Sequence, residues 1–208
     1  MSALYNNKPA IYGLSINSFV FDEKLIDAMP SLRAQKIRSY RFKDDRKRSF
    51  AVELLLEEVL GKDAAFRVCQ YDTGKPYIED GPSFSVSHSG DWVVLAVCSK
   101  PVGIDIERIN TSRDTDGIAR RVFHPDERAQ APGDIKMFYK IWTAKESYIK
   151  MLGNGLTSLP GFHVKFINGE ECAADDGSVI RLFDNIYGYA AAVCSPKGID
   201  WPDKILVL

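Results

Sequence analysis

The stretch Ile141-Trp142-Thr143-Ala144-Lys145-Glu146-Ser147-Tyr148-Ile149-Lys150 sets the reading of this 208-residue chain. It has helical spacing, within a helix expected from about residue 135 to residue 152 and closed by Gly153-Asn154-Gly155. Trp142, Glu146 and Ile149 or Lys150 share one stripe, with Lys145 beside it. Upstream, Val102, Ile104 and Ile106 alternate with Gly103, Asp105 and Glu107, the period-two pattern of a half-buried strand. Asp105 and Glu107 therefore point to one face and can reach one cation. Alone, each feature has a plain structural reading. The two acids could mark the solvent face of an edge strand, and Glu146 with Lys150 an i, i+4 surface pair contributing a few tenths of a kcal/mol. Together, three carboxylates and a lysine form a kit for holding a hard metal ion against a phosphate. Oxygen-only ligation suits Mg²⁺ or Mn²⁺.

Around this kit the chain reads as a mixed α/β (α+β) protein. A strand is expected over 11–20, helices over 30–40 and 44–60, and a turn at Asp72-Thr73-Gly74-Lys75-Pro76. Asp44 and Asp45 suit the first turn of the second helix, and Gly61 stops it. Strand-like runs follow at 84–87 and 92–98, joined by His88-Ser89-Gly90-Asp91. Beyond a polar connection at 110–117 come a helix at 118–123, the 135–152 helix, and strands at 162–166, 179–183 and 187–194. Leu95-Ala96-Val97-Cys98-Ser99 is echoed by Ala191-Ala192-Val193-Cys194-Ser195. The echo suggests two similar lobes, 1–100 and 101–208, each a small sheet packed on helices, related by a pseudo-twofold axis with a ligand cleft between them.

Composition narrows the class. Apolar residues make up 45% and charged residues 26%, with a net charge of -1, so overall charge gives no argument for nucleic acid or an anionic membrane. Between Arg33 and Arg48 lies a local basic cluster, without the aromatic interleaving of a nucleic-acid module. It suits a solvated helix face or a polyanionic small molecule. No run approaches the roughly 20 apolar residues of a membrane span, and the first residues lack the pattern of a secretion signal. The widely spaced Cys69, Cys98, Cys172 and Cys194 are expected to be reduced buried thiols, which points to the cytoplasm. His88, His124 and His163 are scattered; His88 is set apart by a polar strand end, Ser87-His88-Ser89-Gly90, poised at a ligand. Lys75, in a turn without P-loop glycine spacing, could add a phosphate contact.

Gly103-Ile104-Asp105-Ile106-Glu107, followed by Trp142-Thr143-Ala144-Lys145-Glu146-Ser147-Tyr148-Ile149-Lys150, resembles the signature of the 4′-phosphopantetheinyl transferase superfamily. That signature is G-[IV]-D-[IV]-E, then W-x-x-K-E-[AS]-x-x-K. Thr73-Gly74-Lys75-Pro76, Phe84-Ser85-Val86-Ser87-His88-Ser89 and Arg48 point to its monomeric Sfp-type branch. The resemblance covers roughly residues 30–160. It implies transfer of the phosphopantetheine arm of coenzyme A to a serine of an acyl, peptidyl or aryl carrier protein, releasing adenosine 3′,5′-bisphosphate. By the same resemblance, Asp105, Glu107 and Glu146 would bind Mg²⁺, and Lys150 would neutralise the pyrophosphate. Arg48 and Lys36 would hold the 3′-phosphate, with Arg33 where the family often has lysine. Thr73, Gly74, Lys75 and Pro76 would line the adenine end, and Ser87 and His88 would contact phosphates. Glu146 directly, or Glu127 through a water, would be the base; Glu127 has a plain alternative as a solvated residue of the His124-Pro125-Asp126-Glu127 turn. Arg108, Arg113, Arg120 and Arg121 would steer the acidic carrier. Two rival readings are a metal-dependent phosphotransferase or hydrolase of another nucleotide, and a non-catalytic binding module.

Overall fold

A computed structural model describes residues 5, 8–131, 133–153 and 161–208. Strand β1 (Ala10–Ser15) and a 3₁₀ turn (Glu23–Ala28) lead into helices α1 (Ser31–Ser39), α2 (Lys43–Leu60) and α3 (Ala64–Arg67). Strands β2 (Val68–Gln70), β3 (Pro76–Ile78), β4 (Ser83–Ser89), β5 (Trp92–Cys98) and β6 (Gly103–Arg108) follow. Next come helices α4 (Thr115–Val122), α5 (Pro125–Gln130) and α6 (Ile135–Leu152). The chain closes with β7 (Val164–Phe166), β8 (Glu171–Ala174), β9 (Val179–Phe183), β10 (Tyr189–Ser195) and β11 (Leu206–Val207).

Two sheets carry the architecture. One has the order β11-β1-β5-β4 and the other β6-β10-β9-β8-β7, with β2 and β3 forming a separate ribbon. Side-chain alternation distributes the core. Val93, Leu95 and Val97 of β5 pack outward under Leu55, Leu56 and Val59 of α2. Val94, Ala96 and Cys98 pack inward against Ile104 and Ile106 of β6 and Ala191 and Val193 of β10. The other face of β10, through Ala190, Ala192 and Cys194, meets Tyr139, Ala144, Tyr148 and Met151 of α6. The order is therefore helix, sheet, shared core, sheet, helix, and both central strands are buried on both faces, which explains their unbroken apolar runs.

The internal echo is misleading. Leu95 and Val97 face the outer helix, whereas their aligned partners Ala191 and Val193 face the shared core. A one-residue shift moves every side chain of a strand to the other face, so the two runs are not equivalent residue by residue. The first sheet also borrows β11 from the chain's end, paired in parallel with β1.

Other differences are local. The expected strand at 11–20 stops at Ser15, where Ser18 Oγ donates to the Ser15 carbonyl and turns the chain. The helix read over 118–123 begins earlier, because Asp114 caps it by accepting from Gly117 N–H. Gly153 ends α6 in the left-handed region, at φ 77°; Asn154 and Gly155 lie outside the described residues. Of the cysteines Cys69 is exposed, and the other three are buried and free.

Candidate active site

Gly103 lets α6 lie directly on β6, because a β-carbon there would collide with the Ser147 carbonyl and the Met151 amide. That approach brings the acidic face of β6 against the polar stripe of α6. Asp105 is only 4% exposed and Glu146 only 7%. The solvent-face reading of the strand is thereby excluded. Nor do Glu146 and Lys150 form a surface pair: Lys150 Nζ instead sits 2.7 Å from Asp105 Oδ1 and 2.9 Å from Ser87 Oγ.

The cluster is rich in negative charge. Burial, reinforced by the charge of Asp105 and then of Glu107, pushes the Glu146 carboxyl up to about 7 against the pull of Lys150. Burial and the neighbouring Asp105 likewise raise Glu107. Among the described residues, Asp105 Oδ2 is buried with no hydrogen-bond partner. Three carboxylates against one ammonium, with an orphaned oxygen among them, fit an oxygen-ligated hard cation.

A cavity of about 600 Å³ opens beside this cluster. Its lining includes the acids Asp105, Glu107 and Glu146, the apolar Val52, Leu56 and Phe84, and the basic Arg33 and Lys36. Ser87, His88, Gly74 and Pro76 line it too, whereas Thr73 and Lys75 line an adjoining cavity of about 230 Å³ that also touches Lys150. Desolvation, then the charges of Arg48 and Lys150, hold His88 below the usual imidazole range. A third cavity, of about 520 Å³, has Glu107, Ser89, Arg108 and Arg113 in its walls. Glu107 thus separates two openings.

Three expectations change on inspection of the contacts. Lys75 donates to the Val102 carbonyl at 3.2 Å and the Met151 carbonyl at 2.7 Å, so its ammonium staples the turn to β6 and α6. Arg48 is not among the residues lining the main cavity; it is held by the Gly90 carbonyl at 2.8 Å and by Asp45. Three more of the basic cluster are similarly paired, Arg33 with the buried Glu53, Arg38 with Asp27 and Arg46 with Glu23. Glu127 is not in a solvated turn. It starts α5 in a capping box with His124 and is fully buried. Its carboxylate accepts from Lys145 Nζ at 3.1 Å, His124 N–H at 2.7 Å and Val164 N–H at 2.8 Å. These bonds engage both its oxygens away from the cavity. Two histidines that look scattered also meet: His124 stacks on His163 with ring centroids 4.5 Å apart, next to Asp126.

Sequence reasoning quoted Ser85 and Ser89 within the Phe84–Ser89 motif but gave them no role. Both belong to a period-two run with Ser87, and that alternation was the available signal.

Fold and site define an α/β enzyme whose two sheet-and-helix units meet at a carboxylate-lysine centre suited to phosphate chemistry. Comparison with known proteins names the family. A profile described as the 4′-phosphopantetheinyl transferase superfamily matches residues 101–195, and one described as 4′-phosphopantetheinyl transferase, N-terminal, matches residues 22–100. A Bacillus subtilis protein named 4′-phosphopantetheinyl transferase is 35% identical, over 84% of this chain and 85% of its own length. The 4′-phosphopantetheinyl transferase Sfp of Bacillus subtilis (strain 168) is 30% identical over 95% of this chain and 96% of its own. HetI of a Nostoc species, also named as such a transferase, is 28% identical over 88% and 84%. The chain belongs to the 4′-phosphopantetheinyl transferase superfamily, in its Sfp-type branch, and is a transferase of phosphopantetheine to carrier proteins. Among the described residues no helix is long and apolar enough to cross a membrane.

Proposed function

We propose that this enzyme works as a monomer in the cytoplasm, with Mg²⁺, or Mn²⁺ in its place, held by Asp105, Glu107 and Glu146. Coenzyme A lies in the main cavity and is the donor, the acceptor is a serine of an acidic acyl or peptidyl carrier, and the other product is adenosine 3′,5′-bisphosphate. The lobes divide near residue 100, with β11 returning to the first. The observation that carries this reading is the convergence of three acids and Lys150 around the unpartnered Asp105 Oδ2.

When bound, the cation would draw charge from the pyrophosphate. Lys150 neutralises charge building on the transferring group, Lys36 attracts the 3′-phosphate with Arg33, itself paired with the buried Glu53, beside it, and the turn backbone at Gly74 and Pro76 borders the adenine end. Ser87 and His88 face the phosphates from β4. The carrier serine oxygen attacks the phosphorus of the pantetheine arm and forms the new P–O bond. The P–O bond to the nucleotide phosphate breaks, and the nucleotide leaves with that electron pair. The serine proton passes to Glu146, which lines the same cavity as the other two acids and Lys150. Glu127, sealed against Lys145, is left a structural role. The carrier approaches through the cavity bordered by Arg108 and Arg113, with Arg120 and Arg121 beyond it on α4.

The test is incubation with coenzyme A, Mg²⁺ and several apo carriers, read by intact mass. A phosphopantetheinyl mass gain is expected; none on any carrier would falsify the reading. Carrier steering is checked by charge reversal at the four arginines, expected to raise KM for carrier and leave coenzyme A binding intact.

A further inference from the structure

Among the described residues, strand β6 lies at the edge of the second sheet and pairs with β10 alone, so its other edge presents N–H groups outside any strand ladder. No backbone ladder covers them. Three serine hydroxyls of β4, a strand of the other sheet, do so instead. Ile104 N–H donates to Ser85 Oγ at 3.1 Å, Ile106 N–H to Ser87 Oγ at 3.4 Å, and Arg108 N–H to Ser89 Oγ at 3.1 Å. The pleat places these serines on one face of β4, so a single crossing engages all three.

Having accepted from a backbone N–H, each hydroxyl still has one proton to give. Ser87 gives it to Asp105 Oδ1 at 2.8 Å, and Ser89 gives it to Glu107 Oε2 at 2.8 Å. At Ser85 the residue in the corresponding place is Gly103, which has no side chain to receive it. The seam therefore repeats the same backbone contact three times and adds a carboxylate contact at only two positions. Glu107 is half-buried and lies between two cavities, with the Trp142 indole and the Arg113 guanidinium also near its carboxylate; Ser89 makes its close hydrogen bond, to Oε2.

We propose that Ser89 is a positioning residue: by anchoring Glu107 Oε2 across the junction of the sheets, it turns the other carboxylate oxygen toward the cation. Ser85 performs only the joining half of the job. The proposal rests on the reading of Asp105, Glu107 and Glu146 as cation ligands.

The experiment uses the full-length, metal-stripped protein, with Mn²⁺ titrated calorimetrically in the presence of coenzyme A and thermal unfolding followed in parallel. Ser89→Ala and Ser89→Cys are expected to weaken Mn²⁺ binding by about 10-fold or more, the usual scale for a lost outer-shell partner. Ser89→Thr, which keeps the hydroxyl, should restore it. Ser85→Ala should lower the melting temperature with Mn²⁺ binding unchanged. If Ser89→Ala does not fold, Ser89→Cys decides. Mn²⁺ binding as in the unaltered enzyme for both would overturn the proposal, as would an equal loss in Ser85→Ala, since that would mean general loosening of the junction. Failure of the unaltered protein to bind Mn²⁺ at all is a different result, and it removes the ligand assignment itself.

Discussion

Lys150 Nζ and Asp105 Oδ1, 2.7 Å apart, join the last turn of α6 to the middle of β6. Asp105 is nearly inaccessible, so the ammonium offsets charge that water cannot reach. The same ammonium competes with any cation that binds the carboxylates. Lys150→Ala should therefore bind Mg²⁺ more tightly than the unaltered enzyme while transferring phosphopantetheine at least about 100-fold more slowly, the scale of a lost electrostatic stabiliser. Parallel Mg²⁺ titration and steady-state kinetics separate the two effects. A fall in both rate and Mg²⁺ affinity would count against this division of labour.

Glu146 gives the pH dependence. Its carboxyl is raised from 4.5 to about 7, so the metal-free fold favours the protonated acid. A carboxyl raised on folding contributes stability that is fully present below the unfolded value and is lost as pH climbs through the folded one. The metal-free protein should lose stability as pH rises from 4.5 to about 7 on this account, by an amount on the order of a few kcal/mol. Glu146→Gln should flatten that slope and abolish transfer. Because the cation must displace the same proton, Mg²⁺ affinity should fall as pH drops below about 7. Melting curves and Mg²⁺ titrations across this range check both statements.

The three acids and the lysine were legible because their geometry is local. Period two puts Asp105 and Glu107 on one face, and helical spacing puts Glu146 and Lys150 on one stripe, without knowledge of any partner. What escaped depends on distant pairings. Ser89 matters only because β4 crosses the open edge of β6, and β11 joins β1 from almost the whole chain away. The burial of Glu127, against the solvated-turn reading, escaped for a related reason. Its burial comes from Lys145 and Val164, and nothing within the 124–127 segment announces either.

Glu127 and Lys145 make the third prediction. Both side chains are fully buried, and Lys145 is further held by the Phe162 carbonyl at 2.6 Å. Removing one partner leaves a buried charge uncompensated, so Glu127→Ala should cost about 3–5 kcal/mol of stability. The double change Glu127→Leu with Lys145→Met should recover much of that loss, as apolar replacements of buried pairs often do. Protein that remains folded should still transfer. Chemical denaturation and a transfer assay on the same preparations check this, and a double variant that is stable yet inactive would return Glu127 to the chemistry.

Gly103 tests the contact on which the centre is built. Its missing side chain is what lets the Ser147 carbonyl and Met151 amide of α6 rest on β6. The obstacle to a β-carbon is backbone, which cannot rotate aside, so Gly103→Ala must lift the helix. Overpacking of this kind costs about 1–3 kcal/mol, sometimes more. The displaced helix also carries Glu146 and Lys150 away from Asp105, and a shift of about 1 Å in a positioned group can cost roughly 100-fold in rate. Gly103→Ala should therefore lose activity out of proportion to its loss of stability. Denaturation midpoints alongside kcat decide the matter: a folded Gly103→Ala enzyme with near-normal kcat would mean that α6 can move without disturbing the carboxylates.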